Sequence, residues 1–139
     1  MQIAVRYYTR SGNTKVLAEA IAEAAGVQAK EVSEELTEKI DILFLGSSVY
    51  AAGVDDEIKK FIAKNHDKIG QIVNFSTAAL LSSTYKQVKK LAEDNGVVMG
   101  EEEFHCRGSF GPMHKGRPNE KDKKDVAEFV VRVLEQYKK

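Results

Sequence analysis

The chain has 139 residues, with 21 Lys+Arg balanced by 21 Asp+Glu, 42% hydrophobic residues and one cysteine, Cys106. That length fits one domain, residues 1–139, able to bury a core without disulfides or metal, and a lone cysteine excludes an intramolecular disulfide and fits a reducing compartment. Zero net charge argues against nucleic acid as a partner, and with no signal-like segment or apolar run of spanning length, a cytoplasmic monomer with no membrane span is expected.

Apolar runs and amphipathic stretches alternate along the whole chain. Residues 2–8 read as a strand, after which Val16, Leu17, Ala20, Ile21 and Ala24 recur at helical spacing until Gly26 stops them. Val27 to Val32 is a short, weaker strand. Ile40 to Leu45 is almost wholly apolar, as a strand covered on both faces would be. Ile58, Phe61 and Ile62 mark a helix that begins near Asp55 and Asp56, whose carboxylates suit the positive end of the helix dipole.

Ile69 to Phe75 is the fourth strand. Ser82 or Ser83 caps a helix whose inner face is Tyr85, Val88, Leu91 and Ala92 and which Asn95-Gly96 ends. Val97 to Cys106 starts apolar and turns polar, as an edge strand does. A loop over 107–118 holds both prolines, and Asn119 caps a last helix with Val126, Phe129, Val130, Val133, Leu134 and Tyr137 on one face. Strict alternation of this kind predicts an α/β fold with a doubly wound, five-stranded parallel sheet, and 2-1-3-4-5 is one of its two common strand orders. Ligands of such sheets sit beyond the carboxyl ends of the strands.

The most specific of those ends is Thr9-Arg10-Ser11-Gly12-Asn13-Thr14. A strand, a turn rich in hydroxyl groups and a helix start follow one another there, so backbone N–H groups and the helix dipole favour a phosphate. The turn has one glycine and no Gly-Lys-Ser/Thr ending, which separates it from dinucleotide fingerprints and triphosphate loops. A single terminal phosphate held by neutral donors suits it better.

The turn resembles the phosphate loop of the flavodoxin family, and the resemblance covers the full length. It implies that Thr9, Ser11 and Thr14 give hydroxyls to the phosphate of FMN, that Gly12 lets the backbone approach, and that Arg10 and Asn13 add N–H donors. Gly46-Ser47-Ser48-Val49-Tyr50-Ala51-Ala52-Gly53 is similar to the family's second loop, with Ser48 in place of a proline and Val49 in place of a threonine. Ser48, Val49, Tyr50 and Ala51 would then line the isoalloxazine ring, Tyr50 stacking on it or meeting its edge. In the third loop the resemblance assigns backbone N–H groups of Ser76, Thr77, Ala78 and Ala79 to the pyrimidine edge. Flavodoxins usually cover the other ring face with a tyrosine from this loop, and none stands between Ser76 and Thr84, so that face is open or covered by Phe110.

The implied function is that of an FMN-binding redox protein passing electrons to a protein partner, a reductase or an acceptor. The alternatives within the fold are an FMN-dependent quinone or protoporphyrinogen-type oxidoreductase, and a flavodoxin-fold interaction module that has lost FMN. A signalling receiver domain has the same winding but needs carboxylates where Tyr7-Tyr8-Thr9 and Ser47-Ser48-Val49 stand. Cys106 reads as a buried strand-end residue rather than a catalytic thiol. A Cys-x5-Arg phosphatase signature fails at Pro112, and His105 and His114 lack a metal-ligand set. Arg107 and Arg117, brought near the flavin of a neutral chain, would make it less reducing than in acidic carriers.

Overall fold

The computed structural model describes residues 1–9, 12–48, 54–78, 83–108 and 116–138. Five parallel strands form one sheet in the order β2-β1-β3-β4-β5: β1 is Ile3–Tyr7, β2 Ala29–Glu31, β3 Ile40–Ser48, β4 Ile69–Ala78 and β5 Val98–Arg107. Four α-helices alternate with them, α1 over Asn13–Ala25, α2 over Asp56–Asn65, α3 over Tyr85–Asp94 and α4 over Glu120–Lys138, and a short 3-10 turn over His66–Lys68 leads into β4. The winding and strand order agree with the sequence reading.

Side chains of successive strand residues leave opposite faces of the sheet, so each strand feeds two cores. Under α2 and α3, Leu43, Leu45, Ile58, Ile62, Ile72 and Val88 are wholly buried together. On the other face Val5, Leu17, Ile21, Phe44, Phe75 and Val126 pack beneath α1 and α4. Burial of each such side chain contributes about 1.5–3 kcal/mol. This accounts for the alternating apolar runs without help from ion pairs, which lie mostly on exposed side chains.

Four elements differ from expectation. β3 runs on from Leu45 to Ser48. β2 has three residues rather than six, because its burial pattern offers only a half-buried residue followed by two exposed ones. β4 runs on past Phe75 to Ala78, in register with Ser47 and Ser48 on one side and with His105, Cys106 and Arg107 on the other. Ser76, Thr77 and Ala78 are therefore buried strand residues, not loop. Tyr137, placed on the inner face of α4 by its spacing, is 42% exposed at the end of that helix.

Candidate functional site

β1 ends at Tyr7, and Tyr8 still donates its N–H to the carbonyl of Gly46 on β3, at 3.1 Å. The chain then turns into α1. Thr9 Oγ1 accepts the N–H of Gly12 at 3.0 Å, and Gly12 has φ +91°, a left-handed conformation that a residue with a Cβ rarely adopts. Gly12 caps α1 without a side-chain acceptor, and no acidic residue stands in the first turn of the helix.

The other helices are closed at this end. Asp55 accepts from Glu57 N–H at 3.1 Å at the head of α2, Ser83 Oγ from Tyr85 N–H at 2.9 Å at the head of α3, and Asn119 Oδ1 from Asp122 N–H at 3.0 Å at the head of α4. Of the caps expected, Ser83 and Asn119 are observed while Ser82, the alternative to Ser83, lies outside the described residues; Asp55, expected for its charge at the start of α2, is the cap of that helix. α1 differs in being led by a glycine, so its capping position supplies no side-chain acceptor.

Two contacts join this turn to the distant strands. The hydroxyls of Thr14 and Thr77 lie 3.0 Å apart, both side chains buried. The Asn13 side chain lies against Gly108, just past β5, where an added Cβ would come within 2.7 Å of Asn13 Nδ2. Gly108 in turn donates its N–H to the carbonyl of Ala78 at 3.4 Å. The ends of β1, β4 and β5 are drawn together, with Thr9, Gly12, Asn13, Thr14, Thr77 and Ala78 in one neighbourhood.

At the end of β3, Gly46 lies beneath the ring of its neighbour Phe75; an added Cβ would stand 2.2 Å from that ring. Ser47 and Ser76 are side-by-side partners on β3 and β4. Ser76 is fully buried and its Oγ has no hydrogen-bond partner among the described residues. Ser48 closes β3. Of the residues expected in the site, Arg10, Ser11, Val49, Tyr50, Ala51 and Ala79 lie outside the described residues, as does Phe110.

A model of the flavodoxin domain matches residues 4–138. The chain belongs to the flavodoxin domain family. An uncharacterized protein of Methanocaldococcus jannaschii is 29% identical to this flavodoxin-domain chain over 137 residues, spanning 88% of it and 90% of its relative. A solved flavodoxin from the domain Archaea superposes with a TM-score of 0.81 over all of both chains, at 17% identity. Oxidised flavodoxin 1 from Bacillus cereus gives 0.73, covering 97% of this chain and 98% of its own, also at 17% identity. At that identity both are likenesses of fold.

At the open edge of the flavodoxin-domain sheet, β5 and the head of α4 enclose a cavity of about 540 Å³ lined in part by Phe104, Cys106, Arg117 and Asp122. Arg117 makes a two-pronged ion pair with Asp122, Nε to Oδ2 at 2.6 Å and Nη2 to Oδ1 at 2.8 Å. The charge of Arg117 is therefore paired with a carboxylate. Cys106, expected to be buried, is half-buried; its partial desolvation pushes the thiol up to about 12, with the charge of Asp122 adding to the rise. A thiol held protonated is neither nucleophile nor metal ligand at neutral pH, and no group of His, Cys, Asp or Glu able to hold a metal occurs among the described residues.

Sequence reasoning missed Asn74 and Thr84. Asn74 carried a signal, as an amide set inside the apolar run Ile72-Val73-Asn74-Phe75, since a buried amide must find partners. Thr84 carried none, because it matters through residues far away in sequence.

Proposed function

We propose that this chain binds FMN without a covalent bond at the carboxyl ends of β1, β3 and β4, and passes electrons to a partner protein. The observation that carries the reading is the head of α1: a glycine-led start with no side-chain acid, opened by a turn of hydroxyl residues. A phosphate dianion completes such an end by accepting its N–H groups. Thr9, Ser11 and Thr14 supply hydroxyl donors, Gly12 the close backbone approach, and Arg10 and Asn13 further N–H groups. Thr9 fits this role because its Oγ1 accepts from Gly12 and so leaves its own proton to donate.

The ring lies, in this reading, against Ser48, Val49, Tyr50 and Ala51, with the pyrimidine edge towards Ser76, Thr77, Ala78 and Ala79. The continuation of β4 to Ala78 commits the backbone of Ser76 and Thr77 to the sheet. The buried Ser76 hydroxyl, without a partner among the described residues, is a polar group that a bound molecule or water would satisfy. Bound FMN supplies the electron chemistry; the protein sets its orientation, its access and its surroundings.

Titration of the apoprotein with FMN, followed by flavin fluorescence and visible absorbance, tests this. Saturable binding is expected, weaker for riboflavin, which lacks the phosphate. Thr14→Ala or Ser11→Ala should each weaken FMN by about 1.5–3 kcal/mol, the worth of a hydrogen bond to a charged group. No uptake by well-folded protein, or unchanged affinity in both variants, overturns the reading.

A further inference from the structure

Thr84 stands at the head of α3, a position where a threonine normally accepts an amide of its own helix. It makes no such bond, and the capping falls to Ser83. The Thr84 hydroxyl instead accepts from Ser47 Oγ at 3.0 Å and from Asn74 Nδ2 at 3.1 Å, and donates to Asn74 Oδ1 at 3.5 Å. One proton and two lone pairs are all a hydroxyl has, and here all are engaged with strand side chains. Ser47, Asn74 and Thr84 are each at most 1% exposed. Ser83, one residue earlier, donates to Glu103 Oε1 on β5 at 2.5 Å.

Two consecutive residues thus bind the start of α3 to β3, β4 and β5. The strand positions held are the roots of the candidate ring site: Ser47 precedes Ser48 and lies beside Ser76, and Asn74 is two residues before Ser76 on the same face. Apolar side chains at 47, 74 and 84 could fill the same volume, but contact without direction leaves strand ends free to slide. Hydrogen bonds fix distance and angle.

We propose that Thr84 is a positioning residue for the flavin ring: its hydroxyl locks the end of β3 to β4 and to the head of α3, so that the second and third loops start from fixed roots. The inference rests on the flavin reading of the site and adds a residue to it. Holding the roots before the ligand arrives spares the ordering cost on binding.

The test compares wild type with Thr84→Val, which keeps the shape and removes the hydroxyl, and Thr84→Ser, which keeps the hydroxyl. Hydrogen exchange of the apoprotein needs no flavin. Thr84→Val should exchange about tenfold faster over residues 44–48 and 74–78, as expected for a net loss near one hydrogen bond, while α1 is unchanged and Thr84→Ser matches wild type. With flavin added, Thr84→Val should lose FMN and riboflavin affinity by the same factor, also about tenfold, because the phosphate end is untouched. If Thr84→Val does not fold, Ser47→Ala removes one bond and should show the same pattern at smaller size. Unchanged exchange at those strand ends, loss of FMN affinity without loss of riboflavin affinity, or a Thr84→Ser variant as impaired as Thr84→Val overturns the proposal. If wild type takes up no flavin, the proposed function and the ring role fail together, while the exchange result still decides whether Thr84 locks the strand ends.

Discussion

Replacement of Asp122 by asparagine should lower the stability of this protein by about 2–3 kcal/mol. Asp122 receives three donors: Arg117 Nε at 2.6 Å, Arg117 Nη2 at 2.8 Å and the N–H of Asn119 at 2.8 Å. Its own N–H returns to Asn119 Oδ1, so the residue closes α4 as well as the ion pair. An asparagine of equal shape keeps one acceptor oxygen but turns an NH2 group towards a guanidinium that can only donate. Each hydrogen bond to a charged group contributes about 1.5–3 kcal/mol. The sum is discounted because the Arg117 side chain is 34% exposed, although that of Asp122 is only 8% exposed. For a chain of this size the loss corresponds to a Tm lower by about 10 °C. Burial alone would raise the Asp122 pKa, but the hydrogen bonds from Arg117 and Asn119 outweigh it and leave it below the usual value. A carboxylate whose folded pKa is depressed stabilises above its unfolded pKa of about 3.9, and that contribution is lost as pH falls through the lower folded value. The gap between wild type and Asp122→Asn should therefore be full at pH 6–7 and shrink in acid. Urea unfolding across pH checks both statements. A variant within about 0.5 kcal/mol of wild type at pH 7, or a gap that widens in acid, would refute the reasoning.

Gly46→Ala should destabilise by about 3 kcal/mol or more, read in the same unfolding assay, because its Cβ would stand 2.2 Å from the buried Phe75 ring. Cys106 should react with a disulfide reagent at pH 8 far more slowly than a free thiol, given a pKa of about 12, and a rate near that of glutathione would contradict that raised pKa. Gly108→Ala should displace the Asn13 side chain and weaken FMN while sparing riboflavin; titration of both flavins reads the difference.

The layering of the fold was legible because it is written in local patterns: apolar runs at strand length, helical spacing between them, and Gly26, Asp55, Ser83 and Asn119 at helix ends. The turn from Thr9 to Thr14 stood out in the sequence for the same reason, its residues being neighbours in the chain. The end of β4 did not. Ser76, Thr77 and Ala78 are small residues with turn-like chemistry, and they stay in the sheet because strands on both sides pair with them and Thr77 has a hydroxyl partner in Thr14. That partner is 63 positions away, as Thr84 is 37 positions from Ser47. Pairing at such range leaves no periodic trace.

The alternation of β4 gives the proposed site two separate anchors. Thr77 faces α1 and meets Thr14, while Asn74 faces α3 and meets Thr84. One strand thus carries two hydroxyl locks, one on each face, and in the proposed site the first would serve the phosphate end and the second the ring end. The two share no residue, so changes at one should add to changes at the other rather than couple with them. A Thr14→Ala/Thr84→Val double variant is therefore expected to lose FMN affinity by the product of the two single losses. A loss well short of that product would mean that β4 transmits strain from face to face and that the locks act as one.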